Sequence, residues 1–151
     1  MSADVDWALY RNFRDYEFRC RCCGFLNVKP ELLDRLQALR DHVGVPINVN
    51  SGTRCVAHNR SLPGASAGSR HLSGEAADIV IYAQDVLEMY HAAEQIWMGG
   101  GGIGIYPTNG FIHVDVRGNR KRWSTIYGES FPGIGDAYDW VTEHGLRRAR
   151  R

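Results

Sequence analysis

His71, Asp78 and His113 are the residues of this chain whose types and spacing point most directly to chemistry. The first two lie in Ser69-Arg70-His71-Leu72-Ser73-Gly74-Glu75-Ala76-Ala77-Asp78, the third in Phe111-Ile112-His113-Val114-Asp115. Two imidazoles and one carboxylate make the three-ligand set of a catalytic zinc ion, whose fourth position stays open to water. Such an ion lowers the pKa of that water and polarises a carbonyl, which suits hydrolysis of an amide. A proton acceptor is needed as well. Asp115 is the candidate catalytic base, because it stands two residues beyond His113 on the same strand face. The competing role for Asp115 is that of an acceptor that orients a ligand imidazole. Glu75, inside the first segment, is the weaker candidate for the base.

These residues need particular elements to bring them together. Ala77-Asp78-Ile79-Val80-Ile81-Tyr82 is short, apolar and β-branched, as a buried strand should be, whereas His71 belongs to a polar segment punctuated by glycine. Gly74 lets the backbone fold back between them. In 110–116, a period of two sets Phe111, His113 and Asp115 on one face and Ile112, Val114 and Val116 on the other. Upstream, Lys29-Pro30-Glu31 opens a helix carrying the stripe Leu32, Leu33, Leu36, Leu39 and Val43, and Gly44 ends it. Pro46 to Asn50 reads as a strand delivering Ser51 to Arg54, and Ala57 to Arg70 as a long loop. A second helix is expected from Gln84 to about Met98. The glycines 99–102 then turn into a strand over Ile103 to Tyr106, and Pro107 to Gly110 forms a hairpin turn. A short helix is expected around Tyr138 to His144. The fold expected is therefore α+β, a small, mostly antiparallel sheet with helices packed on it, in a single domain over residues 1–151.

The pattern Ser-x-His-x-x-Gly-x-Ala-x-Asp, complete here as Ser69, His71, Gly74, Ala76 and Asp78, followed by His113-Val114-Asp115, resembles the zinc D-alanyl-D-alanine carboxypeptidase family of peptidoglycan peptidases. That family is grouped with lysostaphin and the hedgehog domain. The likeness takes in Ser51-Gly52-Thr53-Arg54-Cys55 and Asn59 upstream and Gly101 to Tyr106 downstream. It implies zinc as cofactor, peptidoglycan as partner, and cleavage of stem peptides or cross-links by an endopeptidase or carboxypeptidase. It also implies a role for Arg54 beside the metal, binding a substrate carboxylate or stabilising the oxyanion, against the plainer reading of a surface ion pair. Ser69 and Asn59 become candidate substrate-binding residues, although either residue type also closes turns. The chain departs from several relatives in one respect. They carry an acidic residue three positions before the last ligand histidine, where Gly110 stands here.

Other function classes are disfavoured. A formal net charge of +1 gives no overall basic field for nucleic acid, although Arg117, Arg120, Lys121 and Arg122 form a local basic run before Trp123 and four arginines occupy 147–151. Both runs read as solvated faces, with attraction to an anionic wall or membrane as the sharper alternative. No stretch approaches the ~18 apolar residues of a membrane span, and Met1 to Trp7 is acidic rather than a secretory signal. The expectation is a monomer made in the cytoplasm that reaches the wall by release during phage lysis, as an endolysin, or from a virion. The rival class is a non-catalytic zinc-containing module that binds cell wall or protein. Cys20, Cys22, Cys23 and Cys55 remain open between free thiols, a disulfide to Cys55 and a structural zinc site. Tyr106, Trp123 and Tyr127 are candidates for lining a peptide groove.

Overall fold

The computed structural model describes residues 4–145. The arginines at 147, 148, 150 and 151 lie outside the described residues. Pro30 sits in the first turn of α1 (Pro30–Val43), where its missing N–H costs nothing, and Gly44 closes the helix at φ 69°. Leu32, Leu33, Leu36 and Leu39 of its stripe are completely buried. Burial of each stabilises by about 1.5 to 3 kcal/mol relative to an exposed side chain. α3 (Val86–Trp97) begins with a capping box in which the Asp85 side chain accepts from the Glu88 amide and the Glu88 side chain from the Asp85 amide.

α3 packs on β3 and β4 of a six-stranded sheet of order β1-β2-β4-β3-β5-β6, and α1 packs against α3. The strands are β1 (Ile47–Ser51), β2 (Ala76–Ile81), β3 (Gly102–Tyr106), β4 (Phe111–Asp115), β5 (Lys121–Ile126) and β6 (Glu129–Pro132). Every pairing is antiparallel except β3 with β5. The α+β class, the mostly antiparallel sheet and the helices packed on it are as the sequence indicates. Alternation divides the central strands cleanly. Ala77, Ile79 and Ile81 of β2, Ile103 and Ile105 of β3, and Ile112 and Val114 of β4 join the core. Asp78, His113 and Gly104 occupy the opposite face.

Two expectations need correction. The segment from Ala57 to Arg70 is not all loop, because α2 (Val56–Ser61) occupies its start, capped by the Cys55 sulfur accepting from the His58 amide at 3.4 Å. Six residues are too few to show a periodicity, and cysteine is an uncommon cap. The short helix expected around Tyr138 to His144 is present as α4 (Gly135–His144), and only its start differs, three residues earlier. Finally, the basic run at 117–122 is a solvated face only in part, because Arg120 and Lys121 are exposed whereas Arg117 and Arg122 are mostly buried. Its end enters β5, and the Arg122 guanidinium is buried against Glu94 of α3 at 2.7 and 2.8 Å.

The hydrogen bonds from Arg122, outweighing partial burial, draw the Glu94 pKa down to about 2 from its usual value near 4.5. A carboxylate depressed in the folded state contributes stability that is complete above its unfolded pKa and is lost as pH falls through the folded one. The window for Glu94 thus runs from about pH 4.5 down to about 2. Glu94→Gln is expected to lower the melting temperature at neutral pH and to flatten the melting-temperature profile across that window. Parallel profiles for variant and parent would remove Glu94 from the acid response.

Candidate metal centre

Register aligns one row of residues across the sheet: Ser51 opposite Asp78, Asp78 opposite His113, His113 opposite Gly104, and Gly104 opposite Trp123. His71 reaches this row from the loop before β2. That loop can turn because Gly74 takes φ 75°, and a Cβ there would lie 2.0 Å from the Asn27 carbonyl oxygen.

The histidines are oriented by their outer nitrogens. His71 Nδ1 donates to the Gly52 carbonyl at 2.7 Å, and His113 Nε2 donates to Asp115 Oδ2 at 2.7 Å. The inner nitrogens, His71 Nε2 and His113 Nδ1, stand 3.2 and 3.1 Å from the same oxygen, Asp78 Oδ1. With protons placed on the outer nitrogens, three lone-pair atoms face one another. A cation among them reconciles that arrangement, so the residues fit a zinc ion with His71 Nε2, Asp78 Oδ1 and His113 Nδ1 as ligands. All three residues are buried. Burial lowers the His71 pKa, keeping that ring neutral as a ligand must be. It would raise that of Asp78, but the two imidazoles outweigh it and hold the carboxyl well below the usual range. For His113, burial is likewise outweighed, here by the bonds to Asp115 and Asp78, and the pKa is raised.

Asp115 is completely buried, and both of its oxygens are engaged. Oδ1 accepts from the Gly102 amide at 3.0 Å, the Arg117 amide at 3.1 Å and Arg117 Nε at 2.8 Å. Oδ2 accepts from His113 Nε2 and from Arg117 Nη2, each at 2.7 Å. Against the effect of burial, these bonds hold its pKa well below the ordinary carboxylate value. Glu75, the other candidate base, is taken up by the Ser73 hydroxyl at 2.5 Å and by Arg70 at 3.5 Å.

Arg54 is no surface ion pair. Its guanidinium is mostly buried and donates to Asp78 Oδ2 at 3.1 Å, Asn59 Oδ1 at 3.3 Å and Ser51 Oγ at 3.2 Å. Asn59 is buried, with both ends of its amide engaged inside the protein, since Nδ2 donates to the Ser66 carbonyl at 2.9 Å. Its amide oxygen thus meets Arg54, and Asn59 is not among the residues that line the cleft over the centre. Ser69 accepts from the His71 amide at 3.3 Å and lines the cleft.

The cleft over the centre has a volume of about 1190 Å³. One wall is the 62–70 loop, and the other is built by β5, β6 and the β3–β4 turn. Tyr106, Trp123 and Tyr127 all line it, as the aromatic pattern suggested, and Tyr106 stacks on Phe111 at 4.5 Å. Arg54, Arg70, Arg117, Arg120, Lys121 and Arg122 also line it, while Asp78 is its sole acidic residue among the described ones.

Sequence reasoning missed the glycines of β3. Gly102 leaves room for the Asp115 carboxylate, and Gly104 for the Trp123 indole, which packs 5.0 Å from the His113 ring. The alternation Gly-Ile-Gly-Ile was the available signal, since a strand that is bare on one face marks a close approach. A Cβ on Gly104 would lie 2.4 to 2.6 Å from three indole atoms. Gly104→Ala is expected to cost about 1 to 3 kcal/mol by overpacking and to alter the near-ultraviolet dichroism of tryptophan. An unchanged spectrum and melting temperature would show that the ring shifts freely.

The sequence model of the Peptidase M15 family matches residues 11–115, from the N-terminal arm through Asp115. The chain belongs to this family. It is 32% identical over 117 residues to "Peptidoglycan L,D-endopeptidase MepK" of Escherichia coli K12, an alignment covering 74% of this chain and 60% of that protein. The MepK of Shigella flexneri matches to the same extent. "Probable peptidoglycan L,D-endopeptidase MepK" of Haemophilus influenzae is 30% identical over 104 residues, 64% of this chain and 54% of that one. The chain thus spans little more than half the length of these curated relatives. The family's sequence match ends at Asp115, so β5 with Trp123 and Lys121 lies beyond it.

Proposed function

We propose that this protein is a zinc-dependent endopeptidase that cuts the peptide part of peptidoglycan at a bond joining an L- to a D-residue. The observation carrying this reading is the convergence of His71, Asp78 and His113 on one point at the floor of a long, cation-lined cleft, in a chain belonging to the Peptidase M15 family. The relatives' activity supports the choice of endopeptidase over carboxypeptidase and of an L,D bond. Peptidoglycan stem peptides are rich in free carboxylates, which the arginines and Lys121 of the cleft complement. Delivery to the wall by phage lysis or from a virion is part of the same proposal.

A zinc ion held by the three ligands supplies Lewis acidity and a water of lowered pKa. The residues do the rest. Gly52 and Asp115 fix the two imidazoles from behind, so that each turns a lone pair toward the ion. Arg54, braced by Ser51 and Asn59, holds a fixed positive charge at the cleft wall for a substrate carboxylate or a developing oxyanion. Of the two roles considered for Asp115, the geometry supports the orienting one, because all its bonds point into the protein and none into the cleft. The Arg54 geometry also sets an expectation. Arg54→Ala removes a bond to a ligand carboxylate, so zinc affinity should fall together with turnover, and Arg54→Lys should restore little of either. Full zinc affinity with lost turnover would instead assign Arg54 wholly to substrate.

Zymography on purified cell walls tests the reading. A clearing zone that disappears with chelator and returns with zinc is expected. Binding to walls without clearing, with or without zinc, would favour the non-catalytic module.

A further inference from the structure

Outside the cleft, four sulfurs meet. Cys20, Cys22 and Cys23 follow one another in a tight loop that closes on itself, with the Cys20 amide donating to the Phe25 carbonyl at 2.8 Å and the Gly24 amide to the Cys20 carbonyl at 2.9 Å. Gly24 turns the chain at φ 79°, a conformation most residues avoid. Cys55 approaches from the start of α2. Its sulfur lies 3.3 Å from that of Cys22, and the Cys22 sulfur lies 3.6 Å from that of Cys20. All four sulfurs fall within 4.8 Å of one another.

We propose that Cys20, Cys22, Cys23 and Cys55 hold a second, structural zinc ion. Zinc–sulfur bonds of about 2.3 Å in a tetrahedron put the sulfurs about 3.8 Å apart, close to the 3.3 and 3.6 Å of the two nearest pairs and inside the 4.8 Å that bounds all of them. The four are free thiols, and their separations exceed the roughly 2.05 Å of a disulfide bond. Two backbone amides are aimed at the sulfurs: Cys55 N–H at Cys20 Sγ and His58 N–H at Cys55 Sγ, each at 3.4 Å. Such bonds stabilise thiolates and are what a four-sulfur centre needs around it. Binding displaces one proton from each of four thiols and involves no oxidant or reductant. Four protein ligands leave no open position, so the ion is structural.

Its effect is mechanical. The ion ties the N-terminal arm to the cap of α2, and Arg54 precedes that cap directly. The arm already touches the same segment, where the Thr53 amide donates to the Phe18 carbonyl at 2.9 Å. The second ion would therefore hold the wall that carries Arg54, which makes the four cysteines positioning residues for the centre and not participants in the reaction.

The test uses the full chain purified under reductant. Wild type is expected to carry about two zinc ions, and the His71→Ala/His113→Ala double variant about one, whose X-ray absorption at the zinc edge shows a shell of four sulfurs near 2.3 Å. Cobalt in that variant should give intense thiolate-to-metal charge-transfer bands and the ligand-field bands of a tetrahedral site. Adding Cys22→Ser and Cys23→Ser should remove the remaining ion, whereas the cysteine changes alone should leave one ion ringed by nitrogen and oxygen. Because the cysteine variants need not fold, the wild-type spectrum decides independently: sulfur scattering beside nitrogen and oxygen supports the site. A shell of nitrogen and oxygen alone, or intact mass showing disulfides among the four cysteines, overturns it. Loss of the cleft activity with sulfur-bound zinc retained would fall on the proposed function and not on this site.

Discussion

Replacing His71 or His113 with alanine is expected to lower hydrolysis by roughly 10⁴-fold or more, because Lewis-acid stabilisation and water activation each supply several kcal/mol. The fold should survive. His113 lies on the sheet face opposite the core formed by Ile79, Ile103, Ile105 and Ile112, and His71 comes from the loop before β2, so truncating either imidazole opens no hole in that core. Zinc analysis should show one ion fewer per chain than wild type, with an unchanged far-ultraviolet spectrum. Full zinc content in both variants would dismiss these residues as ligands.

Asp115 should give the second-largest effect, and of a different kind. Asp115→Ala leaves the Arg117 guanidinium, mostly buried, without its bidentate partner. Removing one member of a buried pair costs about 3 to 5 kcal/mol, which for a chain of this size corresponds to a melting temperature lower by roughly 10 °C. Loss of the acceptor behind His113 should also weaken zinc binding by about 10- to 100-fold. Activity is therefore expected to fall steeply at limiting zinc and to recover largely at saturating zinc. A base would behave otherwise: turnover lower by about 10²- to 10⁴-fold at saturating metal, with unchanged affinity. That outcome would return Asp115 to the catalytic role first considered for it.

The parts of this molecule legible in the sequence are those ruled by local periodicity. The leucine stripe of α1, with Pro30 and Gly44 at its ends, and the alternation of 110–116 each carry their own signal, and so the faces of helix and strand follow directly. The cluster of His71, Asp78 and His113 was legible for a different reason, since His, Asp and glycine at fixed spacing have few other uses together. What escaped depends on side-chain contacts that no periodicity announces. Arg117 and Arg122 look like a solvated run until Asp115 and Glu94 come to meet them. The bonds that Arg54 and Ser66 make to the two ends of the Asn59 amide are likewise invisible in the sequence. The short α2 hides because its cap is a cysteine. The bareness of Gly102 and Gly104 acquires meaning only when the Asp115 carboxylate and the Trp123 indole are seen above them.

The central claim is that the His71, Asp78 and His113 centre hydrolyses peptide bonds of peptidoglycan. Mass spectrometry of purified peptidoglycan digested by the zinc-loaded full chain tests it most directly, with the chelated protein as control. Stem peptides or cross-links newly cleaved between an L- and a D-residue, with intact sugars and no products after chelation, are expected. New reducing sugar ends with intact peptides, or the same peptide fragments from metal-free protein, would contradict it.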